Sequence, residues 1–480
     1  MVMGELTQEA EVLVIGAGPG GYAAAFRAAD LGKDVTLVDS DPRPGGVCLF
    51  RGCIPSKTLL FLTELLYDTR RSAAMGIRFG PPEIDLSGVR AWKDQVIQRL
   101  AKGLVTLCEK RNVQVLQARA VFEDSQRVRL NDSEITHIKY RHAILASGSR
   151  PVLLPGVGDA PGGRVMDSTG ALALADVPAT LLVIGGGYVG LELGMVYASL
   201  GSRVTLVELG DRLLPGIDRD LVKPLAQRVS EAFAAVHLNT KVQSLVEHDD
   251  HVEVTLGGAV EPQQHRFERV LVAIGRRPNT ENLGLEHTRV QLDPRGFVVV
   301  DDRQQTADAH IFAVGDVVGG FMLAHKAMRE GRVAAEVIAG KPSAFDVRAI
   351  PAVVYTDPQI ATCGLSEEQA QASQRPYKVA RFPWTASGRA MTMGTTEGLT
   401  KVIFEPGTER VLGVGIVGRG AGEMIAEGVL AVEMGALAED VALSMHPHPT
   451  LSETEEEAAE AFLGSAIHVL SPKTPGLGKS

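Results

Sequence analysis

The chain has 480 residues, too many for one hydrophobic core, so we expect two to four domains. Its net charge of −10 and the lack of a Lys/Arg block argue against nucleic acid as the main partner, and no apolar run reaches the roughly 18 residues of a membrane span. Cysteines are sparse, and residues 1–11 lack the basic and apolar regions of a signal peptide. These features favour a cytoplasmic protein, although an organelle form with its leader removed would look similar.

The first predicted elements are a strand, a glycine-rich turn, a helix and a second strand between Glu11 and Asp39. Gly16, Gly18 and Gly21 lie in the turn and at the helix start. In a dinucleotide-binding unit the first glycine permits the tight turn, the second lets the backbone approach the pyrophosphate, and the third lets helix and strand pack. The pyrophosphate lies at the helix N-terminus. Asp39 would then accept a hydrogen bond from a ribose hydroxyl.

Two cysteines, Cys48 and Cys53, follow this fingerprint in a segment that also holds Gly52 and Pro55. In a regular helix five residues rise about 7.5 Å, more than the roughly 7 Å at which two Cα atoms can be joined by a disulfide. Redox pairing therefore requires a distorted turn, which the glycine and the proline would permit. Taken alone, the pair is equally compatible with two reduced, buried thiols. The other two cysteines, expected to fill packing positions, are Cys108 and Cys363.

The fingerprint recurs 169 residues later, over residues 180–208. Its matching residues are Gly185, Gly187, Gly190 and Glu208. Two copies, each with its strands and its acid, predict two dinucleotide sites. Glu208 disfavours a 2′-phosphate by charge repulsion, which favours NAD, while Arg203 and Arg212 nearby leave NADP open.

A third predicted strand, residues 311–314, leads to Asp316. This acid could contact the ribityl or phosphate region of a flavin, or could simply cap a helix. From about Ile350 onward the glycine fingerprints stop and strand-like segments alternate with acidic helices. We therefore expect a separate C-terminal domain there.

The last informative segment is residues 446–453, His-Pro-His-Pro-Thr-Leu-Ser-Glu. Disulfide exchange needs a thiolate, and a histidine base can remove the thiol proton. Glu453 lies five residues after His448, near enough to fix the tautomer of the imidazole. Without the cysteines and the fingerprints, a surface loop with two solvated histidines would explain the segment as well.

From about Glu11 to Phe462 the chain resembles the dihydrolipoamide dehydrogenase family, flavoproteins of the 2-oxo-acid dehydrogenase complexes. The motifs that carry the resemblance recur in order: GGxCxxxGCxPSK, the paired fingerprints, ASGS at 146–149, STGAL at 168–172, IGRRPN at 274–279, VGD at 314–316 and HxHPTLSE. The resemblance implies an α/β fold with two Rossmann-like dinucleotide-binding domains, for FAD and NAD, plus a C-terminal α+β dimerisation domain. The expected domains are 1–150 (FAD), 151–280 (NAD), 281–349 (central) and 350–480 (dimer interface).

The resemblance also implies the activity and the partners. Protein-bound dihydrolipoamide would be oxidised through a Cys48–Cys53 redox disulfide and FAD, with hydride transfer to NAD⁺. Cys48 would exchange with the substrate, Cys53 would contact the flavin, and His448, oriented by Glu453, would serve the disulfide of the other subunit of a homodimer. Expected partners are lipoyl domains, the core acyltransferase and the lipoyl carrier of glycine cleavage, with no nucleic acid and no metal.

Specific cofactor roles follow from the same resemblance. Asp39 would bind the FAD ribose, Asp316 the FAD chain and Glu208 the NAD ribose, while Lys57 and Glu192 would form an ion pair near the isoalloxazine. The full set of expected cofactor-binding residues is Gly16, Gly18, Gly21, Asp39, Lys57, Ser147, Gly148, Gly185, Gly187, Tyr188, Gly190, Glu192, Glu208, Gly275, Arg276 and Asp316.

Two positions depart from the family pattern. Pro447 replaces the more usual alanine between the two histidines. We therefore choose the base by its spacing to Pro-Thr-Leu-Ser-Glu, and this spacing favours His448. Tyr188 stands where an aliphatic residue is frequent. A tyrosine there gates the nicotinamide pocket in glutathione reductases, so we expect Tyr188 to shield the flavin until NAD binds.

The alternative interpretation is another NAD(P)H-dependent flavoprotein disulfide reductase, similar to glutathione or mercuric reductase. Glutathione reductases usually read CVPKK and use NADPH, and mercuric reductases generally carry a C-terminal cysteine pair, whereas this chain has no cysteine after Cys363. Soluble transhydrogenases lack the redox cysteines that are present here. A non-catalytic binding subunit is a further alternative, against which intact Cys48, Cys53, His448 and Glu453 argue.

Overall fold

The computed structural model describes residues 6–154, 163–260 and 262–470, so parts of three expected domains (1–150, 151–280 and 350–480) lie outside the described residues. The strands are β1 Thr7–Ile15, β2 Val35–Asp39, β3 Gln114–Gln117, β4 Arg119–Asp124, β5 Arg127–Asn131, β6 His137–Leu145, β7 Ser149–Pro151, β8 Val165–Met166, β9 Thr180–Ile184, β10 Arg203–Val207, β11 Ala235–His237, β12 Lys241–Glu247, β13 Val252–Gly257, β14 Gln264–Phe267, β15 Arg269–Val272, β16 Arg276–Pro278, β17 Ile311–Ala313, β18 Ala352–Val354, β19 Gln359–Gly364, β20 Lys378–Pro383, β21 Leu399–Phe404 and β22 Val411–Gly418.

The α-helices are α1 Pro19–Asp30, α2 Gly46–Arg51, α3 Cys53–Arg71, α4 Leu86–Lys110, α5 Ser168–Ala173, α6 Tyr188–Leu200, α7 Arg219–Ala232, α8 Ala324–Ile338, α9 Glu367–Ala372, α10 Gly388–Met393, α11 Ala421–Met434, α12 Ala438–Ala442 and α13 Glu453–Leu463. Short 3-10 helices cover Ser72–Met75, Leu285–His287, Gly315–Val318 and Trp384–Ala386. None of the helices within these described ranges is long and apolar enough to cross a membrane.

The chain divides into two compact units. The first comprises residues 1–59, 81–176 and 274–346, and the second comprises residues 60–80, 177–273 and 347–480. The expected division into four domains is finer than this and stays a prediction.

The first unit is built on a sheet in the order β3-β2-β1-β6-β5-β4, with β17 beside β6. Strand β1 runs parallel to β2 and β6, and its last four residues, Val12–Ile15, are all buried. A continuous buried run is typical of a parallel strand that is covered on both faces. Helices α1 and α8 pack so closely that a Cβ at Gly331 would lie 2.3 Å from the Gly20 carbonyl oxygen. The start of α1, which follows β1, is thereby fixed against α8.

The second unit repeats the parallel pattern and adds antiparallel sheets. Strands β11-β10-β9-β15 form a parallel array, β12-β13-β14 form an antiparallel meander, and β18-β19-β22-β21-β20 form an antiparallel sheet. The core beside this last sheet includes residues of α11 and α13, among them Ile425 and Ala458. The predicted fold class, two Rossmann-like units plus a C-terminal α+β region, is confirmed.

Candidate active site

The first glycine-rich turn joins β1 to α1. Gly16 has a φ of +101°, which favours glycine, and a Cβ at Gly21 would lie 1.7 Å from the Gly16 carbonyl oxygen. Side chains at these positions would therefore push α1 off the turn. At Gly18, immediately before α1, a Cβ would meet no atom within 4 Å. The helix start therefore faces open space that fits a pyrophosphate.

The second turn, between β9 and α6, repeats this geometry. Gly185 has a φ of +111°, and a Cβ at Gly190 would lie 2.1 Å from the Gly185 carbonyl oxygen. Gly187 faces open space at the start of α6, as Gly18 does at the start of α1. The structure therefore places both predicted glycine sets at helix N-termini, and both cradles fit a dinucleotide.

The acid at the end of each fingerprint binds backbone amides. Asp39 accepts hydrogen bonds of 2.5 and 2.8 Å from the amides of Ala17 and Asp41. Glu208 accepts hydrogen bonds of 2.6 and 2.7 Å from the amides of Gly186 and Gly210. Burial raises the pKa of Asp39, and its two amide donors oppose the rise. A carboxylate has about four acceptor sites, so each acid keeps capacity for a ribose hydroxyl.

A hydrogen-bonded chain joins Arg276 to Asp316 through Ser149. Arg276 Nε donates to Ser149 Oγ at 2.7 Å, and that hydroxyl donates to Asp316 Oδ2 at 2.5 Å. The antiparallel pairing of β7 with β16 brings the first two residues together. Sequence reasoning selected Arg276 and Asp316 but missed Ser149, whose only signal was its place at the end of the ASGS motif. Asp316 is not the N-cap of its 3-10 helix, which begins at Gly315 after Val314.

The neighbouring turn carries Ser147 and Gly148. Ser147 Oγ donates to the Asn279 carbonyl oxygen at 2.7 Å, and Asn279 Nδ2 donates back to the Ser147 carbonyl oxygen at 2.9 Å. Gly148 and Gly275 both have positive φ, and a Cβ at either would meet no atom within 4 Å. These turns therefore leave open backbone where a cofactor could lie.

The helix break at Gly52 sets the geometry of the cysteine pair. Helix α2 ends at Arg51, Gly52 takes φ −147° and ψ −112°, and α3 begins at Cys53. A Cβ at Gly52 would lie 3.0 Å from the Val47 carbonyl oxygen, so this close turn suits glycine. Pro55 falls in the first turn of α3, where its missing N–H costs no helix hydrogen bond. The distorted turn expected from the spacing is present.

Cys48 and Cys53 are free thiols whose side chains are hydrogen-bonded to each other. That hydrogen bond, together with burial and the charge of Cys53, raises the pKa of Cys48, while the Cys53 amide and the Lys57 charge oppose the rise. Cys53 is exposed and is the first residue of the long helix α3. The pair is therefore asymmetric, with one shielded thiol and one exposed thiol. Cys108 and Cys363 are buried, as predicted.

His448 and Glu453 form the predicted dyad. His448 Nδ1 lies 2.7 Å from Glu453 Oε1, and the other carboxylate oxygen accepts a 2.5 Å hydrogen bond from the Thr450 amide. The imidazole is 73% exposed. Because Glu453 accepts a hydrogen bond from Nδ1–H, the neutral imidazole has its unprotonated nitrogen at Nε2, the atom that a base would use.

His446 lies in a different environment. Its side chain is only 6% exposed, with Nε2 2.7 Å from Glu427 Oε1 and Nδ1 2.6 Å from the Ser444 carbonyl oxygen. The bond to Glu427 raises the pKa of His446 to about 9. Both ring nitrogens are occupied, which supports the choice of His448 as the base. Glu427 was missed because it lies in α11, distant in sequence, and no local pattern indicates the contact.

A chain of buried hydroxyls ties the His448 segment to the sheet core. Trp384 Nε1 donates to Thr400 Oγ1 at 3.0 Å, the Thr400 and Thr454 hydroxyls lie 2.7 Å apart, and Thr454 Oγ1 donates to the Leu451 carbonyl oxygen at 2.7 Å. All three side chains that form the chain are fully buried. The first turn of α13 is therefore anchored to β21.

For three further expected site residues, the structure gives the position in the fold but does not test the expected role. Tyr188 is the first residue of α6 and is 43% exposed. Glu192 is buried and accepts a 2.9 Å hydrogen bond from the Tyr355 amide. Lys57 lies in the first part of α3. The Lys57–Glu192 ion pair and the shielding role of Tyr188 stay predictions.

Comparisons with known proteins agree with this geometry. Residues 10–331 match the pyridine nucleotide-disulphide oxidoreductase family, and residues 350–459 match its dimerisation domain. Dihydrolipoyl dehydrogenases of Vibrio parahaemolyticus and Vibrio cholerae are 44% and 45% identical to the chain, in both cases over 97% of this chain and 98% of the relative. The solved structure of LpdA from Mycobacterium tuberculosis superposes with a TM-score of 0.87 at 27% identity, covering 94% of this chain and 99% of that chain. The chain therefore belongs to the pyridine nucleotide-disulphide oxidoreductase family, and its full-length relatives place it with the dihydrolipoyl dehydrogenases.

Proposed function

We propose that this protein oxidises protein-bound dihydrolipoamide to lipoamide and reduces NAD⁺ to NADH. The observation that carries the proposal is the contact of the Cys48 and Cys53 thiols across the Gly52 break. A dithiol held in contact can close to a disulfide and reopen without a large backbone change. The 44–45% identity to dihydrolipoyl dehydrogenases over nearly the full chain supports lipoamide over other disulfide substrates.

The chain's own residues carry out the thiol chemistry. His448 Nε2 takes the proton from one substrate thiol, and the resulting thiolate attacks Cys48 Sγ of the Cys48–Cys53 disulfide, which releases the Cys53 thiolate. The second substrate thiol then attacks the mixed disulfide, which forms the lipoamide S–S bond and leaves Cys48 as a thiol. Two electrons have then moved from the substrate to the cysteine pair. Glu453 holds the imidazole and stabilises its positive charge during the first step.

FAD and NAD are the cofactors of this family. We assign FAD to the Gly16–Gly21 turn with Asp39 and Asp316, and NAD to the Gly185–Gly190 turn with Glu208. Bound FAD supplies two-electron transfer from the reduced cysteine pair to NAD⁺. The chain contributes the cradles, the anchoring acids and the position of Cys53.

We also assign a homodimer, supported by the match to the dimerisation domain at residues 350–459. In this arrangement His448 of one subunit serves the cysteine pair of the other. The partners would be lipoyl domains and the core acyltransferase of a 2-oxo-acid dehydrogenase complex or the lipoyl carrier of glycine cleavage, with a cytoplasmic location.

The activity is tested by NADH formation from dihydrolipoamide and NAD⁺. Cys48→Ser should abolish turnover, whereas Cys108→Ala, at a buried thiol without a redox partner, should retain it. If the purified protein carries FAD but turns over only glutathione disulfide or Hg²⁺ with NADPH, the dehydrogenase assignment is wrong.

Sharing of a site between subunits is tested with heterodimers of a Cys48→Ser subunit and a His448→Gln subunit. Each parent homodimer should be inactive. The heterodimer keeps one intact cysteine–histidine combination only if the base acts across the interface, so recovery of about half the wild-type activity per dimer is expected. An inactive heterodimer with full FAD content would instead place both groups in one subunit.

A further inference from the structure

The β12–β13 hairpin brings together two imidazoles and a carboxylate that have no part in the proposed reaction. Strand β12 ends at Glu247 and β13 begins at Val252, and the His248 amide donates to the His251 carbonyl oxygen at 2.8 Å. This bond closes the turn and sets the two histidines opposite each other. Their rings stack with centroids 4.6 Å apart.

Glu253 completes the group. It follows His251 by two residues, and side chains two apart in extended backbone point to the same face, which here is also the face of its cross-strand partner Val246. A nitrogen from each histidine and a carboxylate oxygen of Glu253 lie within 4.8 Å of one another. Two imidazoles and one carboxylate form a donor set used for zinc, with a fourth position left open.

The orientation of His251 indicates a ligand rather than a surface ion pair. Its Nδ1 lies 2.7 Å from Asp250 Oδ1, which fixes the proton on Nδ1 and leaves Nε2 as an acceptor. Nε2 is buried and has no hydrogen-bond partner among the described residues. A carboxylate on one imidazole nitrogen and a vacant acceptor on the other is the arrangement found behind metal-bound histidines. An unpaired buried acceptor is otherwise a cost to folding.

The local charge also favours a cation. Residues 247–253 contain four acidic side chains and neither Lys nor Arg. Arg266, opposite Glu253 on β14, is the basic neighbour across the sheet. A second group of possible metal ligands, Asp218, Asp220 and Glu367, differs from the hairpin group because it already has a cation. Lys401 Nζ lies 2.7 to 2.8 Å from an oxygen of each of the three acids.

We propose that His248, His251 and Glu253 form a binding site for a divalent transition-metal ion of the Zn²⁺ or Ni²⁺ class, with Asp250 as a positioning residue. Imidazole nitrogens favour these ions over Mg²⁺ and Ca²⁺, which prefer oxygen ligands. Metal–nitrogen bonds of about 2.0–2.1 Å are compatible with three ligand atoms that lie within 4.8 Å of one another. The exposed side chain of His248 can adjust to the ion. The ion would clip the two strands together at the turn.

The test is titration of the oxidised FAD holoenzyme with ZnCl₂ and, separately, NiCl₂ by isothermal calorimetry. Oxidised enzyme is used because a closed Cys48–Cys53 disulfide does not compete for the metal. We expect one ion per chain at the hairpin. His251→Gln and His248→Gln should each weaken binding by more than tenfold, and Asp250→Asn by about tenfold, as for other residues behind a metal ligand.

The matched control is His287→Gln, which removes another exposed histidine that lies 3.8 Å from a carboxylate. It should leave the binding isotherm unchanged. If both hairpin histidine variants bind Zn²⁺ like wild type, or if millimolar Ca²⁺ displaces the ion, an oxygen-only acidic cluster is responsible and the proposal is wrong. His248 is exposed, so His248→Gln gives a clear answer even if His251→Gln disturbs the hairpin.

Discussion

The hydrogen bond between His448 and Glu453 makes Glu453→Gln the sharpest test of the proposed catalytic dyad. The wild-type carboxylate accepts two hydrogen bonds, from His448 Nδ1–H and from the Thr450 amide. A glutamine has one carbonyl oxygen for these two donors. If that oxygen stays on the amide, the NH₂ group faces Nδ1 and forces the imidazole proton onto Nε2. The base is then in the wrong tautomer for its task.

The magnitude follows from the charge that is lost. Two unit charges about 4 Å apart interact by about 4 kcal/mol at an effective dielectric constant of 20. The His448 ring is 73% exposed, so solvent screening reduces this to about 1 kcal/mol. At 1.36 kcal/mol per factor of ten, loss of the charge alone lowers kcat/KM by about fivefold. The tautomer change adds to this loss.

The assay is steady-state NADH formation at varied dihydrolipoamide. Glu460→Gln removes a carboxylate from the same helix without touching the dyad and should keep wild-type kinetics. Reduction of an artificial electron acceptor by NADH does not use the dithiol base, so Glu453→Gln should retain it. A Glu453→Gln enzyme whose kcat/KM stays within twofold of wild type would refute the dyad.

Three further predictions concern cofactor binding and stability. Gly190→Ala places a Cβ 2.1 Å from the Gly185 carbonyl oxygen, which should cost about 1–3 kcal/mol in denaturant unfolding and, by displacing the start of α6, raise the KM for NAD⁺ with FAD content unchanged in the flavin spectrum. Burial and the charge of Glu427 raise the pKa of Glu455 from 4.5 to about 8, so wild type loses stability as the pH rises through this range, and thermal melts of Glu455→Gln should lack that loss. Lys401→Met leaves three carboxylates without their buried cation and should cost about 3–5 kcal/mol in denaturant unfolding.

Local sequence patterns predicted the elements that need only neighbouring residues. The two glycine fingerprints lie in β1-α1-β2 and β9-α6-β10, as predicted. His448 is hydrogen-bonded to Glu453, five residues later in the sequence. In each case the residues that act together are separated by only one turn or one short loop. A single amino-acid sequence is therefore enough to predict that they lie close together.

Contacts between distant segments could not be read in this way. Nothing near His446 indicates that Glu427 would occupy its Nε2, and nothing near Lys401 indicates carboxylates about 34 and 180 residues away. The hairpin histidines are an intermediate case. Their His-x-x-His-x-Glu spacing is local, but it acquires meaning only when a tight turn sets the residues opposite each other, and the sequence alone predicted no metal.

The buried hydroxyl chain from Trp384 to Leu451 permits a single arrangement of its protons. An indole N–H can only donate, so Thr400 must accept from it and pass its own proton toward Thr454, which in turn donates to the Leu451 carbonyl oxygen. No alternative direction satisfies all the groups. The segment that carries His448 should therefore not open independently of the sheet. Its amide hydrogens at the start of α13 should exchange with solvent as slowly as those of β21, since both open in one cooperative unit.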